Sequence, residues 1–193
     1  FAKHATNQQP SKLGIAEKDF ITVDELIDSL IVKSANDAAV AIAEKISGSE
    51  KKFVIKMNNY AKKLNLENTT FANPHGLPNR ANLSSAYDIF KLSSKIIKDF
   101  PQQLHRFKKT KVKIKGKNYT THNTLLKKYD HYIGLKTGYI RKSGFQISLL
   151  SINGDNYLLG IYFGGNSAKE RNNKISRHFA ERLRTGSATS PII

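Results

Sequence analysis

The chain predicts an α+β fold, helices clustered against an antiparallel sheet, and three features of its patterning lead there. Between residues 22 and 100 the apolar side chains recur at helical spacing. From residue 109 to 163 they alternate as strands do, around Gly-containing turns, before a last helical stripe. No internal repeat and no Pro- or Ser-rich linker interrupts residues 1–185, so the helices and strands are expected to form one domain.

The elements follow in order. Thr22 and Glu25 make a capping box, with Val23, Leu26, Ile27, Leu30 and Ile31 as one apolar stripe behind it. The stripe stops near Ser34. A small-residue helix is expected over 38–46, ending at Gly48 as a left-handed C-cap. Ser49 opens the next helix, whose buried face is expected to be Phe53, Val54, Met57, Tyr60, Ala61 and Leu64. A loop through Asn73-Pro74-His75-Gly76 leads to a helix over 86–98, stopped by Pro101. Residues 109–120 read as a hairpin around Gly116, and 135–139 as a short strand. Residues 144–152 pair with 157–163 across Asn153-Gly154-Asp155-Asn156. The final helix, 169–183, presents Ile175, Phe179 and Leu183, and the polar tail over 185–191 is expected to be disordered.

Composition narrows the function. With 39% hydrophobic residues against 24% charged, 193 residues suit one domain with a real core. The absence of Cys removes disulfides and thiol chemistry and fits an exported protein. No apolar run approaches the roughly eighteen residues that cross a bilayer. The chain begins at Phe1 without a signal peptide, so its start reads as an internal cut. A net charge of +17, with Lys outnumbering Arg 25 to 7, favours anionic partners such as a carboxylate-bearing wall polymer or a membrane surface. At strand period Lys111, Lys113, Lys115 and Lys117 would share one face, read either as a solvated face or as a binding stripe. Nucleic acid is not an expected partner: no such module is present, and the aromatics do not punctuate the basic run as stacking platforms. The six His show no ligand spacing, so neither metal nor cofactor is expected.

Two short signatures carry the chemistry: Ser34-Ala35-Asn36, and Lys136-Thr137-Gly138 flanked by Gly134 and Tyr139. Taken singly they are weak, since Ser34 could be an ordinary N-cap and the second triplet an exposed strand end. Their surroundings are specific. Residues 26–44 (LIDSLIVKSANDAAVAIAE), 64–77 (LNLENTTFANPHGL), 84–88 and 134–139 occur in the order of the penicillin-recognising serine acyl-enzymes, whose motifs are S-x-x-K, S-x-N and K-T-G. The chain resembles a serine-type D-alanyl-D-alanine carboxypeptidase, a low-molecular-mass penicillin-binding protein, over nearly all of residues 1–185. The resemblance implies a DD-peptidase/β-lactamase-like fold acting on peptidoglycan stem peptides outside the cytoplasm, with association of the full-length protein with the inner membrane, and β-lactams as inhibitors.

The same resemblance implies the roles of the site residues. Ser34 would relay a proton to the departing amine, and Asn36 would orient the substrate. Lys136 would supply positive charge beside Ser34, Thr137 would hydrogen-bond the substrate carboxylate, and Gly138 would let the backbone approach it. The Tyr139 N–H would be one oxyanion-hole donor. Arg171 matches a family arginine near the carboxylate pocket, though a solvated Arg at a helix start fits equally. His122 stands where an Arg is common, and Ile140 where K-T-G-x-T has Thr.

The nucleophile is out of place. The one S-x-x-K, Ser49-Glu50-Lys51-Lys52, follows S-x-N instead of preceding it, and Ser49 suits a helix N-cap. The serine, its lysine and the first strands of the sheet are therefore expected upstream of Phe1, and the chain alone is expected to be inactive. The alternative reading is a non-catalytic peptidoglycan-binding or trans-complementing module. A class A β-lactamase fits less well, because its deacylating Glu has no matching motif.

Overall fold

The computed structural model describes residues 2–154 and 156–185. They form two compact units, one drawn from residues up to Leu83 with Lys109–His122, the other from Ser84–Lys108 with the residues from Asn123 onward. The tail over 186–193 lies outside the described residues.

The first unit holds helices α1 (Lys3–Thr6), α2 (Val23–Val32), α3 (Asn36–Ser47) and α4 (Glu50–Lys63), with the hairpin β1 (Lys111–Ile114) and β2 (Lys117–Thr120). The capping box forms as read: Thr22 Oγ1 accepts from the Glu25 N–H, and Glu25 reaches back to the Thr22 N–H. Gly48 closes α3 at φ +75, and Ser49 Oγ caps α4 by accepting from the Lys52 N–H at 3.2 Å. Leu13, Ile15, Leu26, Ala38, Val40 and Ile114 make the core, with Val112 and Tyr119 packed on it.

Two expectations need correction here. On α4 only Ala61 is buried; Phe53, Val54, Met57 and Leu64 are half-buried and Tyr60 is exposed. The helix packs on α3. Nor do the four lysines share a face. Lys115 occupies the turn with φ +49 and pairs with Asp19, and Lys117 is the cross-strand partner of buried Ile114, on the face opposite Lys111 and Lys113. The two-residue turn Lys115-Gly116, both at positive φ, breaks the alternation that the sequence pattern had extended through it.

The second unit wraps a three-stranded antiparallel sheet, in the order β3 (Tyr132–Ile140), β4 (Gly144–Asn153), β5 (Asn156–Gly165). Central β4 alternates strictly. Ile147 and Leu149 meet Ile175 and Phe179 of α6 (Ala168–Thr185), as the helical stripe predicts. Each such side chain contributes about 1.5–3 kcal/mol by leaving water. Gly160 is required there, because a Cβ would stand 2.6 Å from Phe179 Cε1. Leu150 and Ile152 face the other way with Ile133 and Leu135, against Ile97 of α5 (Ala86–Asp99) and Leu104 and Phe107. Those last two belong to a 3₁₀ helix, Pro101–Lys108, at the place where the sequence stops at Pro101. A second 3₁₀ turn, Thr124–Lys127, precedes β3, which is longer than the five residues expected.

Candidate active site

The Ser34-Ala35-Asn36 turn lies in the first unit, between α2 and α3. Ser34 has φ +57, in the left-handed region where the residue after a helix is usually Gly. The N-cap position falls on Ala35, whose side chain makes no cap, so Ser34 is not the ordinary N-cap that the residue type alone allowed. Asn36 opens α3 and is buried. Its N–H donates to the Ser11 carbonyl at 2.8 Å and its Nδ2 to the Gln9 carbonyl at 2.9 Å. The turn is thus built on the segment 9–15, and Asp37 holds that segment. Fully buried, its carboxylate accepts from the N–H groups of Leu13 (3.0 Å), Gly14 (2.9 Å) and Ala38 (2.9 Å), with Ile15 at 3.4 Å.

The Lys136-Thr137-Gly138 triplet lies in the second unit, in β3. A bulge between Gly134 and Lys136 inserts Leu135, which enters the core. One extra residue turns every following side chain to the other face, so the bulge sets where Lys136 points. Lys136 then pairs with Ser148, whose hydroxyl is buried 2.8 Å from that of Ser93 on α5. Lys136 Nζ donates to the Thr137 carbonyl at 2.6 Å. Gly138 pairs with Gln146, and a Cβ on it would approach Gln146 Oε1 to 3.3 Å. Tyr139 is exposed, its ring 4.3 Å from that of Phe145.

Arg171, on the first turn of α6, is not solvated: it is 2% exposed. Its Nε and Nη2 donate to Asn172 Oδ1 at 3.0 and 2.8 Å, and Nη1 to the Gln146 carbonyl at 3.2 Å. Those partners are neutral, and burial lowers its pKa. Lys136 is also depressed, to about 8, first by desolvation and then by Arg171. Its side chain is nonetheless exposed, which keeps water within reach of the ammonium. Two cations thus lie close enough to interact, Arg171 buried and Lys136 exposed.

Lys136, Thr137, Gly138, Tyr139 and Arg171 belong to one unit; Ser34, Asn36 and His122, an exposed residue, belong to the other. Ile140 is half-buried at the end of β3. Sequence reasoning missed three supports. Asp37 was legible as an acid in the first turn of α3. Asn123, buried, accepts from the Leu125 N–H, and its Nδ2 would lie 2.5 Å from a Cβ on Gly134. Asn172 links Arg171 to Thr124 Oγ1 at 2.9 Å. His75 shapes its loop: Nδ1 accepts from the Leu77 N–H, and Nε2 lies 3.5 Å from Glu50. Among the described residues no cluster of His, Asp and Glu is arranged to hold a metal, and no helix is long and apolar enough to cross a membrane.

The fold is that of the penicillin-binding proteins. It superposes on penicillin-binding protein 6B of Escherichia coli with a TM-score of 0.83 and 35% identity, over 88% of this chain and 54% of that one. It also superposes on a cefotaxime-bound penicillin-binding protein of Listeria monocytogenes (TM-score 0.79, 29% identity, 89% and 72% covered). Residues 2–164 match the D-alanyl-D-alanine carboxypeptidase family, and the chain belongs to it. The D-alanyl-D-alanine carboxypeptidase DacD of Salmonella typhimurium is 38% identical over 162 residues, 83% of this chain and 42% of its own length. The chain thus spans about half the length of the relatives it matches.

Proposed function

We propose that this chain carries the proton-relay and carboxylate-binding parts of a serine-type D-Ala-D-Ala carboxypeptidase that acts outside the cytoplasm on peptidoglycan stem peptides, by acyl transfer. In this reading Ser34 relays a proton toward the leaving amine and Asn36 orients the peptide. Lys136, Thr137 and Arg171 bind the terminal carboxylate, Gly138 admits the peptide backbone, and Tyr139 contributes an oxyanion-hole N–H. His122 would assist carboxylate recognition, as a weaker partner than Arg because its charge depends on pH. The single observation that supports the reading best is the cation pair: Arg171 buried on neutral partners, close enough to Lys136 to lower its pKa.

The acylated serine is assigned to none of these residues. Ser49, the only S-x-x-K serine in the sequence, is engaged as the cap of α4. A β-lactam is the matching inhibitor class, as the cefotaxime carried by the Listeria relative suggests. Two measurements test the reading on the 193-residue chain. A peptide ending in D-Ala-D-Ala should bind at least about tenfold more tightly than the same peptide with a C-terminal amide, because a charge-assisted pair is lost. Fluorescent penicillin should leave the chain unlabelled; losing a serine nucleophile costs on the order of a millionfold in a comparable hydrolase. Equal binding of acid and amide sinks the carboxylate assignment, and a label on Ser49 overturns its role as a cap.

A further inference from the structure

Five lysines crowd the outer side of α4, and the roles above use none of them. The helix is held by its inner side. Ala61 is buried there, the helix packs on α3, and Asn58 clamps the backbone of Phe71. Its Nδ2 donates to the Phe71 carbonyl and its Oδ1 accepts from the Phe71 N–H, both at 2.8 Å. At about 100° per residue the opposite side carries Lys52, Lys56 and Lys63 within about 40° of one another, in a row roughly 16 Å long. Lys51 and Lys62 run beside that row, with Ile55 between the two groups and Tyr60 beyond Lys56. All seven residues are exposed, Ile55 by 54% and Tyr60 by 45%.

We infer that this side of α4 docks on an anionic lipid surface, with the lysines over the headgroups and Ile55 and Tyr60 at the boundary with the acyl chains. Among the described residues none of the five lysines forms an ion pair. Glu50, the acid of the first turn, is taken up by His4 at 2.5 Å and lies 3.5 Å from His75, so imidazoles hold it rather than these lysines. Such a face repels a second copy of itself and attracts an anion. A hydrated polyanion would be met by the lysines alone and would leave Ile55 and Tyr60 against water. A lipid surface accepts both kinds of side chain: ammonium groups meet phosphate oxygens, while an aliphatic group and an amphipathic ring lie at the interface. The long lysine stems reach past the two apolar side chains without lifting them from the surface. The β1–β2 hairpin offers no comparable face, since Lys117 lies opposite Lys111 and Lys113.

The test uses the 193-residue chain. Binding is read by co-sedimentation with vesicles of phosphatidylcholine, alone or mixed with phosphatidylglycerol, and by calorimetry with polyglutamate as a soluble polyanion. The chain should sediment with the mixed vesicles and not with phosphatidylcholine alone. The triple variant Lys52→Gln, Lys56→Gln, Lys63→Gln should lower partitioning onto the mixed vesicles about a hundredfold, at roughly fivefold per lysine near such a surface. The matched variant Lys111→Gln, Lys113→Gln, Lys117→Gln removes the same charge elsewhere and should cost less than about fivefold, because screening weakens charges held away from the surface. The double variant Ile55→Ser, Tyr60→Ser should cost about tenfold, by a ratio that persists as salt rises, whereas the lysine effect fades. All substituted positions are exposed, so the fold is retained. Equal losses in the two triple variants overturn the inference, since net charge alone would then drive the binding. So does equal sedimentation with neutral and anionic vesicles. Binding to polyglutamate as tight as to the mixed vesicles, with no loss of either in the Ile55→Ser, Tyr60→Ser variant, overturns the lipid assignment in favour of a polymer.

Discussion

The Ser34-Ala35-Asn36 turn and the Lys136-Thr137-Gly138 strand carry two of the three motifs of one family signature, yet opposite physics maintains them. In the first unit the polar groups are matched: Asp37 collects backbone N–H groups, and Asn36 is held by the carbonyls of Gln9 and Ser11. These bonds fix the geometry of the turn. In the second unit Arg171 is buried on neutral acceptors and Lys136 is pushed toward its neutral form. That arrangement sacrifices stability for a positive field. The contrast separates residues whose loss should unfold the protein from residues whose loss should abolish binding.

The largest effect should come from Asp37. Replacing it by Ala leaves the buried N–H of Leu13 and the part-buried N–H of Gly14 without an acceptor and removes charge-assisted bonds. A destabilisation of about 3–5 kcal/mol is expected, read as a lower urea midpoint by circular dichroism. Asp37→Asn should recover part of it, because the amide oxygen still accepts. A loss below about 1 kcal/mol in Asp37→Ala would show that the segment 9–15 is held by other means, and would break the comparison.

Legibility in the sequence divides along the same line. Local chemistry was readable: the Thr22–Glu25 box, the Gly48 terminus and the Ser49 cap each occur within four residues and form as expected. So was the pairing of β4 with β5, because a Gly-containing turn between two alternating apolar runs fixes its own register. What depends on contacts distant in sequence was not. The β3 bulge inserts Leu135 without any local signal, the 3₁₀ helix after Pro101 is stabilised by the sheet beneath Leu104 and Phe107, and Lys117 changes face because the turn at Lys115-Gly116 takes two residues. The motif resemblance was enough to identify the family, but it could not distinguish a solvated Arg171 from a buried one. Only the packing of α6 on β4 and β5 decides that.

A pH titration sharpens the second half of the comparison. Lys136 has a lowered folded pKa, so between about 8 and its unfolded value near 10.4 the folded chain binds fewer protons than the unfolded one. Stability contributed at this site therefore rises with pH across that window and is lost as pH falls through about 8. Carboxylate binding should run the other way, strongest below about 8 and weakening above, because only the ammonium form attracts the ligand. Measured as the difference between the parent protein and Lys136→Met, the two profiles should cross in slope. Parallel profiles would mean that Lys136 is ordinary surface charge, and the second unit would lose its contrast with the first.

The smallest effect belongs to Ser34, and it tests whether the first unit stores any strain of its own. Its φ of +57 is costly for a residue with a Cβ, on the order of 1 kcal/mol, and costs Gly nothing. Gly also gains freedom in the unfolded chain, which offsets part of that relief by about 0.4–1 kcal/mol. Ser34→Gly should therefore change stability by less than about 1 kcal/mol, whereas Ser34→Val, β-branched in the same conformation, should destabilise by clearly more. If the turn is kept strained to present a hydroxyl, Ser34→Gly leaves D-Ala-D-Ala peptide binding close to that of the parent, since the proposed carboxylate-binding residues of the second unit are untouched. A large loss of binding in Ser34→Gly with unchanged stability would instead make the hydroxyl part of substrate recognition, and the division between a geometric half and an electrostatic half would have to be redrawn at this residue.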